Sequence, residues 1–195
     1  MPRPHQLPSD RRAEQGGLLF LLSLVIFFLS SLFLYAIYAY WRREDPQSQS
    51  PLPISFLTST LCLLLISGLV HAATRSVRRQ KRWRTSLLLV FSSLAALAFM
   101  VVQFRSMQTM MVGPEASEGL GRGVIGMVFV LAFLHALHVA GGIISLAIVS
   151  VRSICGKYDH ERHWPVDFAA HYWHFLDIVW LCMLATFWLT TGGFA

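Results

Sequence analysis

Five long apolar runs constrain this chain more than any other feature of its sequence. Each run approaches or exceeds roughly 20 residues, the length that an α-helix needs to cross the hydrocarbon core of a bilayer. Because backbone polar groups cannot remain unpaired in lipid, the runs must be helical. We expect the spans at residues 17–41, 54–74, 85–105, 123–151 and 168–191. The sequence therefore predicts an all-α fold, an integral membrane bundle of five transmembrane helices.

The amino-acid composition favours a membrane protein over a soluble or nucleic-acid-binding one. The chain has 195 residues, of which 55% are hydrophobic and only 13% are charged, too few charges to cover a soluble domain. Its net charge is +6, but the basic residues lie in short clusters between the apolar runs. We expect residues 1–16 to form a flexible cytoplasmic tail and residues 17–195 to form one transmembrane domain.

The basic residues also predict how the chain is oriented in the membrane. One face would hold the N-terminal tail, the second loop and the fourth loop, with Arg3, Arg11, Arg12, Arg75, Arg78, Arg79, Lys81, Arg82, Arg84, Arg152, Lys157 and Arg162. The opposite face would hold only Arg42, Arg43, Arg105 and Arg122. Basic loops prefer the cytoplasmic side, so we expect the N-terminus in the cytoplasm and the C-terminus outside.

Polar residues inside the spans are costly and call for a reason. His135 and His138 share a face of the fourth span, and His171, His174 and Asp177 share a face of the fifth. Counted from the cytoplasmic end of the span, His174 and Asp177 would lie roughly 9 to 14 Å deep. We expect Asp177 to face protein, with a histidine or a loop arginine as its partner, because lipid exposure of a carboxylate is strongly unfavourable.

Spacing alone leaves several roles open for these groups. They could ligate a haem, relay protons, hold lipid headgroups, or satisfy one another and lock the helices together. The haem role is weakened because each histidine pair shares one helix face, whereas axial ligands come from opposite sides of the ring. The cysteines Cys62, Cys155 and Cys182 lack metal-ligand spacing, and no nucleophile is paired with a base. We therefore expect no catalytic residue in this chain, and haem ligation remains the least favoured of the open roles.

Two sequence blocks on the last two spans carry a family resemblance. The first is Leu-His-Ala-Leu-His-Val at 134–139, followed by Gly142, and the second is Tyr-Trp-His-Phe-Leu-Asp-Ile-Val-Trp at 172–180. Both resemble the signature blocks of subunit III of haem-copper terminal oxidases, the second almost residue for residue. The matching positions, which the resemblance makes candidates for packing, lipid contact or proton support, are Gln103, His135, His138, Gly142, His163, Asp167, Tyr172, Trp173, His174, Asp177 and Trp180.

The resemblance weakens toward the N-terminus. Leu24 stands where the family has a membrane glutamate, and Ser106 stands where an acidic residue is usual. A proton-antenna role that depends on that glutamate is therefore not carried over. Many family members have seven helices, and this chain resembles their last five, so a lipid cleft formed by their first two helices would have to be completed by another subunit or by lipid.

The resemblance implies a non-redox subunit III of a respiratory haem-copper oxidase in a bacterial plasma membrane. By this resemblance the chain would hold no cofactor of its own. Its partners would be the catalytic subunit I, which carries the haems and copper, other oxidase subunits, and bound phospholipid. It would support aerobic electron transport and proton translocation by stabilising the catalytic subunit and organising lipid. An accessory subunit of nitric oxide reductase is the alternative, followed by a haem-binding membrane anchor.

Overall fold

A computed structural model describes residues 8–44, 54–79, 81–112, 123–155 and 164–191. These ranges contain five helices and no strand: α1 (Pro8–Trp41), α2 (Ser55–Arg78), α3 (Arg82–Val112), α4 (Val124–Ile154) and α5 (Trp164–Thr191). Each helix contains a segment that is long and apolar enough to cross a membrane. The prediction of an all-α bundle with five membrane-spanning helices is therefore confirmed.

The helices are longer than the apolar runs that predicted them. α1 begins at Pro8 rather than Gly17, and α5 begins at Trp164 rather than Phe168. Hydrophobicity marks the part of a helix that lies in lipid, whereas backbone hydrogen bonding continues into the polar flank until something interrupts it. Proline is suited to the first turn, because its missing N–H would have no partner inside the helix. Residues 8–16, which were expected to belong to a flexible tail, are thus part of α1. Whether this part of α1 is flexible stays a prediction.

Helices α2 to α5 form a ring in which each helix packs antiparallel to its neighbours, including α5 against α2. Hydroxyl contacts set the register of α3 against α4, with Ser86 and Ser93 paired to Ser153 and Ser150 at 3.0 and 3.1 Å. Short loops between consecutive helices make each helix the antiparallel neighbour of the next one along the chain.

The first helix lies outside this ring, against α4 and α5. It runs parallel to α5, because Gly17 lies beside Phe168 at one end and the Tyr35 hydroxyl lies 2.6 Å from Thr190 Oγ1 at the other. Helices α1, α3 and α5 consequently begin at the same end of the bundle. The basic connection between α2 and α3 lies at the same end of the bundle as the start of α1.

The outer surface of the bundle is largely apolar, as a lipid-facing surface should be. On α1 alone, seven leucine, isoleucine and phenylalanine side chains are more than half exposed: Leu18, Leu19, Leu22, Ile26, Leu29, Phe33 and Leu34. The bulkiest buried side chains, Trp173 and Trp180, both belong to α5 and lie at the centre of the ring. The core is therefore built around the second of the two sequence blocks.

Candidate functional site on the last two helices

The two histidines of α4 lie among aromatic side chains. The His135 ring is 1% exposed, stacks on Trp180 with centroids 5.4 Å apart, and meets the edge of Phe28 at 6.0 Å. His138 is half-buried, contacts the same Phe28 ring at 5.0 Å, and its Nδ1 donates to the Leu134 carbonyl oxygen at 2.7 Å. These contacts make both histidines part of the packing between α1, α4 and α5.

A glycine permits α4 and α5 to come close together. A Cβ atom at Gly142 would lie 3.2 Å from Tyr172, 3.3 Å from Trp173 and 3.3 Å from Leu176, closer than most real Cβ contacts. The Tyr172 hydroxyl donates to the His138 carbonyl oxygen at 2.9 Å, which fixes the two helices at this distance. Small residues at a helix interface commonly serve this purpose in membranes. The two sequence blocks therefore form one interface.

The block on α5 also joins α5 to α2. Trp180 Nε1 donates to Thr60 Oγ1 at 2.9 Å, and the Phe56 ring meets Trp180 edge-on at 5.6 Å. An indole N–H in an apolar interior needs an acceptor, and a threonine hydroxyl one turn after Phe56 supplies it. Thr60 and Phe56 were not singled out by the sequence, because their partners lie about 120 residues away.

Asp177 lies beside a small polar cluster between α2 and α5. Ser67 Oγ is 2.6 Å from His174 Nδ1, the His174 and His71 ring centroids are 6.1 Å apart, and Asp177 Oδ2 is 3.9 Å from His174 Nδ1. Asp177 is 6% exposed, which confirms the prediction that it faces protein. Its nearest basic group is the predicted histidine. Among the described residues, neither of its oxygens has a hydrogen-bond partner of good geometry.

The structure places Asp177 deeper along its helix than the sequence suggested. Because α5 begins four residues earlier than expected, Asp177 lies thirteen residues after Trp164, at the middle of the helix and about 20 Å from its start. Arg78, the last residue of α2, pairs with the other aspartate of α5, with Arg78 Nη2 and Asp167 Oδ2 3.2 Å apart. The two aspartates of α5 thus have separate surroundings.

Three further candidate residues differ in how well they join this site. Trp173 is fully buried beside Gly142, in the α4–α5 interface. Gln103 is buried on α3, and no hydrogen bond described in the structure links it to α4 or α5. His163 lies outside the described residues. The structure therefore brings the two blocks together but does not join Gln103 to them.

The candidate residues on α4 and α5 make mainly packing contacts, with one small polar cluster between α2 and α5. Across the described ranges, no three His, Cys, Asp or Glu side chains form a group that could hold a metal ion. Leu24, where the family resemblance led us to note the absence of a glutamate, is buried with Phe28 in the apolar core. The described residues form five apolar helices whose outer surface suits lipid and whose interior is joined by a few hydrogen bonds. This is the architecture of a multi-pass membrane protein.

Similarity to known proteins identifies the family within that class. The family model described as cytochrome c oxidase subunit III matches residues 5–191. A cytochrome c oxidase subunit 3 from Pylaiella littoralis is 30% identical over 200 residues, covering 93% of this chain and 68% of that protein. Those from Danio rerio and Cyprinus carpio are 29% and 31% identical, each covering 91% of this chain and 69% of the relative. The chain belongs to the cytochrome c oxidase subunit III family.

Proposed function

We propose that this protein is the non-redox subunit III of a bacterial haem-copper oxidase, and that it stabilises the catalytic subunit and organises phospholipid beside it. One observation supports this function above the others: the residues of both family blocks are used to hold helices together. Gly142 and Tyr172 join α4 to α5, and Trp180 joins α5 to α2. A subunit whose characteristic residues maintain a shape is suited to supporting a neighbour rather than to carrying electrons.

The surroundings of the histidines support a role without a redox centre. His135 is enclosed by Trp180 and Phe28, so a macrocycle could approach its ring nitrogens only if this aromatic packing were dismantled. His138 uses Nδ1 to bind its own helix. The haems and copper of the oxidase are assigned to partner subunits. Because Leu24 is apolar and buried, we include no proton-collecting role at that position.

The basic end of the bundle is assigned to the cytoplasm of a bacterial cell. The basic residues of this end include Arg75, Arg78, Arg79, Lys81 and Arg84, and the first residues of α1 lie there too because α1, α3 and α5 all begin at it. Positive charge is retained on the cytoplasmic side of a membrane. The reagent accessibility of single cysteines at Arg79 and at Arg42 tests this orientation, since only the second should react from outside the cell.

Copurification tests the function itself. The tagged chain is isolated from membranes of respiring cells in mild detergent, and its partners are identified by mass spectrometry. Recovery of a catalytic oxidase subunit with its haems supports the proposal, whereas recovery of nitric oxide reductase subunits would favour the accessory-protein alternative. A Soret absorption band in the isolated chain would overturn the non-redox assignment and revive the haem-anchor hypothesis.

A turnover assay then distinguishes stabilisation of the catalytic subunit from a direct part in electron or proton transfer. The complex depleted of this chain should start with a nearly unchanged rate of oxygen consumption and then lose activity faster than the complete complex. An immediate loss of the first turnovers, with the haems and copper still in place, would mean that the chain takes a direct part in electron or proton transfer.

A further inference from the structure

Two outward-facing surfaces of this bundle differ in chemistry. The outer face of α1 is largely apolar from Leu18 to Phe33 and suits contact with acyl chains, with Leu18, Leu22, Ile26, Leu29 and Phe33 each more than half exposed. The other surface runs along the groove between α2 and α5. We call it the α2–α5 seam and define it by Leu64, Gly68 and His71 on α2 with His174 and Ile178 on α5.

The histidines of the seam lie about two helical turns or more from the nearer end of their helices, and His71 lies about 6 Å before Arg75, the first basic residue at the end of α2. His71 is about 7 Å from the middle of α2, and His174 is about 5 Å from the middle of α5, at 1.5 Å per residue. A hydrocarbon core about 30 Å thick would enclose both rings unless the helices were displaced by about 8 Å or more along the membrane normal. Both imidazoles therefore belong in the apolar layer.

These imidazoles retain hydrogen-bonding capacity that their own bundle does not use. A neutral imidazole carries one donor and one acceptor nitrogen. Ser67 engages Nδ1 of His174, which leaves Nε2. Within the described residues, the His71 imidazole has no side-chain hydrogen bond, its side chain is exposed, and its ring centroid lies 6.1 Å from that of His174. Polar side chains inside a membrane almost always face protein, because lipid offers them no partner.

The seam also contains a notch at its middle. Gly68 lies at the centre of α2, three residues before His71, and is exposed, and an added Cβ would meet no atom within 4 Å. An exposed glycine at mid-membrane lets the backbone of another helix approach closely. The buried glycine at 142 already serves this purpose inside the bundle, whereas none of the residues that the structure describes fills the space over Gly68.

We propose that the α2–α5 seam docks a transmembrane helix of another oxidase subunit, with its backbone over Gly68 and a hydrogen-bonding side chain that reaches His71 and His174. This inference rests on the proposed function and deepens it by naming the surface that faces a partner. A helix supplies both the close backbone and the polar side chain. An acyl chain supplies neither, and a lipid headgroup would have to enter the hydrocarbon layer by several ångströms to reach the imidazoles.

Photo-crosslinking in native membranes tests the assignment. A benzophenone-bearing amino acid replaces Leu64 or Ile178 on the seam, and Leu22 on α1 serves as the matched apolar control. The seam positions should crosslink to one oxidase subunit, and position 22 should not. Crosslinks from the seam to lipid alone or to a second copy of this chain would overturn the proposal, as would equal crosslinking to that subunit from position 22. Crosslinks to a protein that is not an oxidase subunit would instead overturn the proposed function and leave the docking surface standing.

A glycine pair provides a second, independent test. Gly68→Leu should lower the amount of this chain recovered with the complex by about tenfold or more, because the added side chain fills the notch. Gly16→Leu, at an exposed glycine of α1 that also has no atom within 4 Å of its Cβ position, should leave recovery unchanged. The thermal stability of each isolated variant shows that its own fold is intact. Wild-type recovery of Gly68→Leu would contradict the docking geometry.

Discussion

Replacing Gly142 by alanine is the most direct test of how the two family blocks act together. The added methyl group would meet Tyr172, Trp173 and Leu176 at 3.2 to 3.3 Å, so each neighbour must withdraw by a few tenths of an ångström. Two of these three residues are at least partly held: Trp173 is fully buried, and the Tyr172 hydroxyl is bonded to the His138 carbonyl oxygen. The methyl group therefore has little room, and the helices must separate slightly.

Two opposing terms set the expected change in stability. Overpacking a tight interior costs about 1–3 kcal/mol. Exchanging glycine for alanine within a helix returns about 0.5–1 kcal/mol, because alanine loses less backbone entropy on folding. The free energy of unfolding should thus fall by about 1 kcal/mol, within a range of about 0 to 2.5 kcal/mol. Unfolding in mixed micelles with increasing sodium dodecyl sulfate, followed by tryptophan fluorescence, measures this difference.

The adjacent glycine provides the matched control. A Cβ at Gly141 would lie 3.7 Å from the Tyr172 hydroxyl oxygen, which is an ordinary van der Waals contact. Gly141→Ala should therefore be neutral or stabilising by up to about 1 kcal/mol. Equal stabilities of Gly142→Ala and Gly141→Ala would show that α4 and α5 are not in close contact at this point, and the reasoning about the blocks would be wrong.

Three other changes test single contacts of the site. Trp180→Phe removes the donor to Thr60 and leaves a void where the larger ring was, so in the same unfolding assay it should cost more than the hydrogen bond alone, which contributes about 0.5–1.5 kcal/mol. The double variant with Thr60→Val should cost less than the sum of the two single changes if the hydrogen bond contributes. Asp177→Leu should shorten the active lifetime of the assembled oxidase in an oxygen-electrode trace while leaving the initial rate largely unchanged, and an immediate loss of turnover would assign Asp177 a direct role. Arg78→Ala removes the ion pair with Asp167, and because Arg78 is largely exposed the change should cost less than about 1 kcal/mol, so a larger loss would mean that this end of the bundle depends on the pair.

The sequence was most informative where hydrophobicity alone decides the outcome. Long apolar runs can be stable in lipid only as helices, so the number and order of the helices were predictable without any knowledge of packing. The ends of the helices were not predictable in this way. Pro8 and Trp164 begin their helices outside the apolar runs, because polar residues continue a helix readily in water once it has started.

The functional residues were only partly predictable for a related reason. The spacing of His174 and Asp177 placed them on one face of a helix, and the cost of a carboxylate in lipid predicted that Asp177 would be buried. The same reasoning could not find Ser67 or Thr60, because a hydroxyl in an apolar run looks the same whether it binds its own helix or a distant residue.

By itself, the sequence determined that the chain crosses the membrane as helices, which segments do so, and which residues carry the family blocks. Only the tertiary structure decided that α1 lies outside a ring of four, that Gly142 and Tyr172 close the α4–α5 interface, and that His71 and His174 face outward beside the open glycine at 68. The free energy of transferring a segment into lipid depends on that segment alone, so it can be inferred from the sequence. Helix packing depends on which side chains meet across separate segments, so it is settled only when the helices assemble.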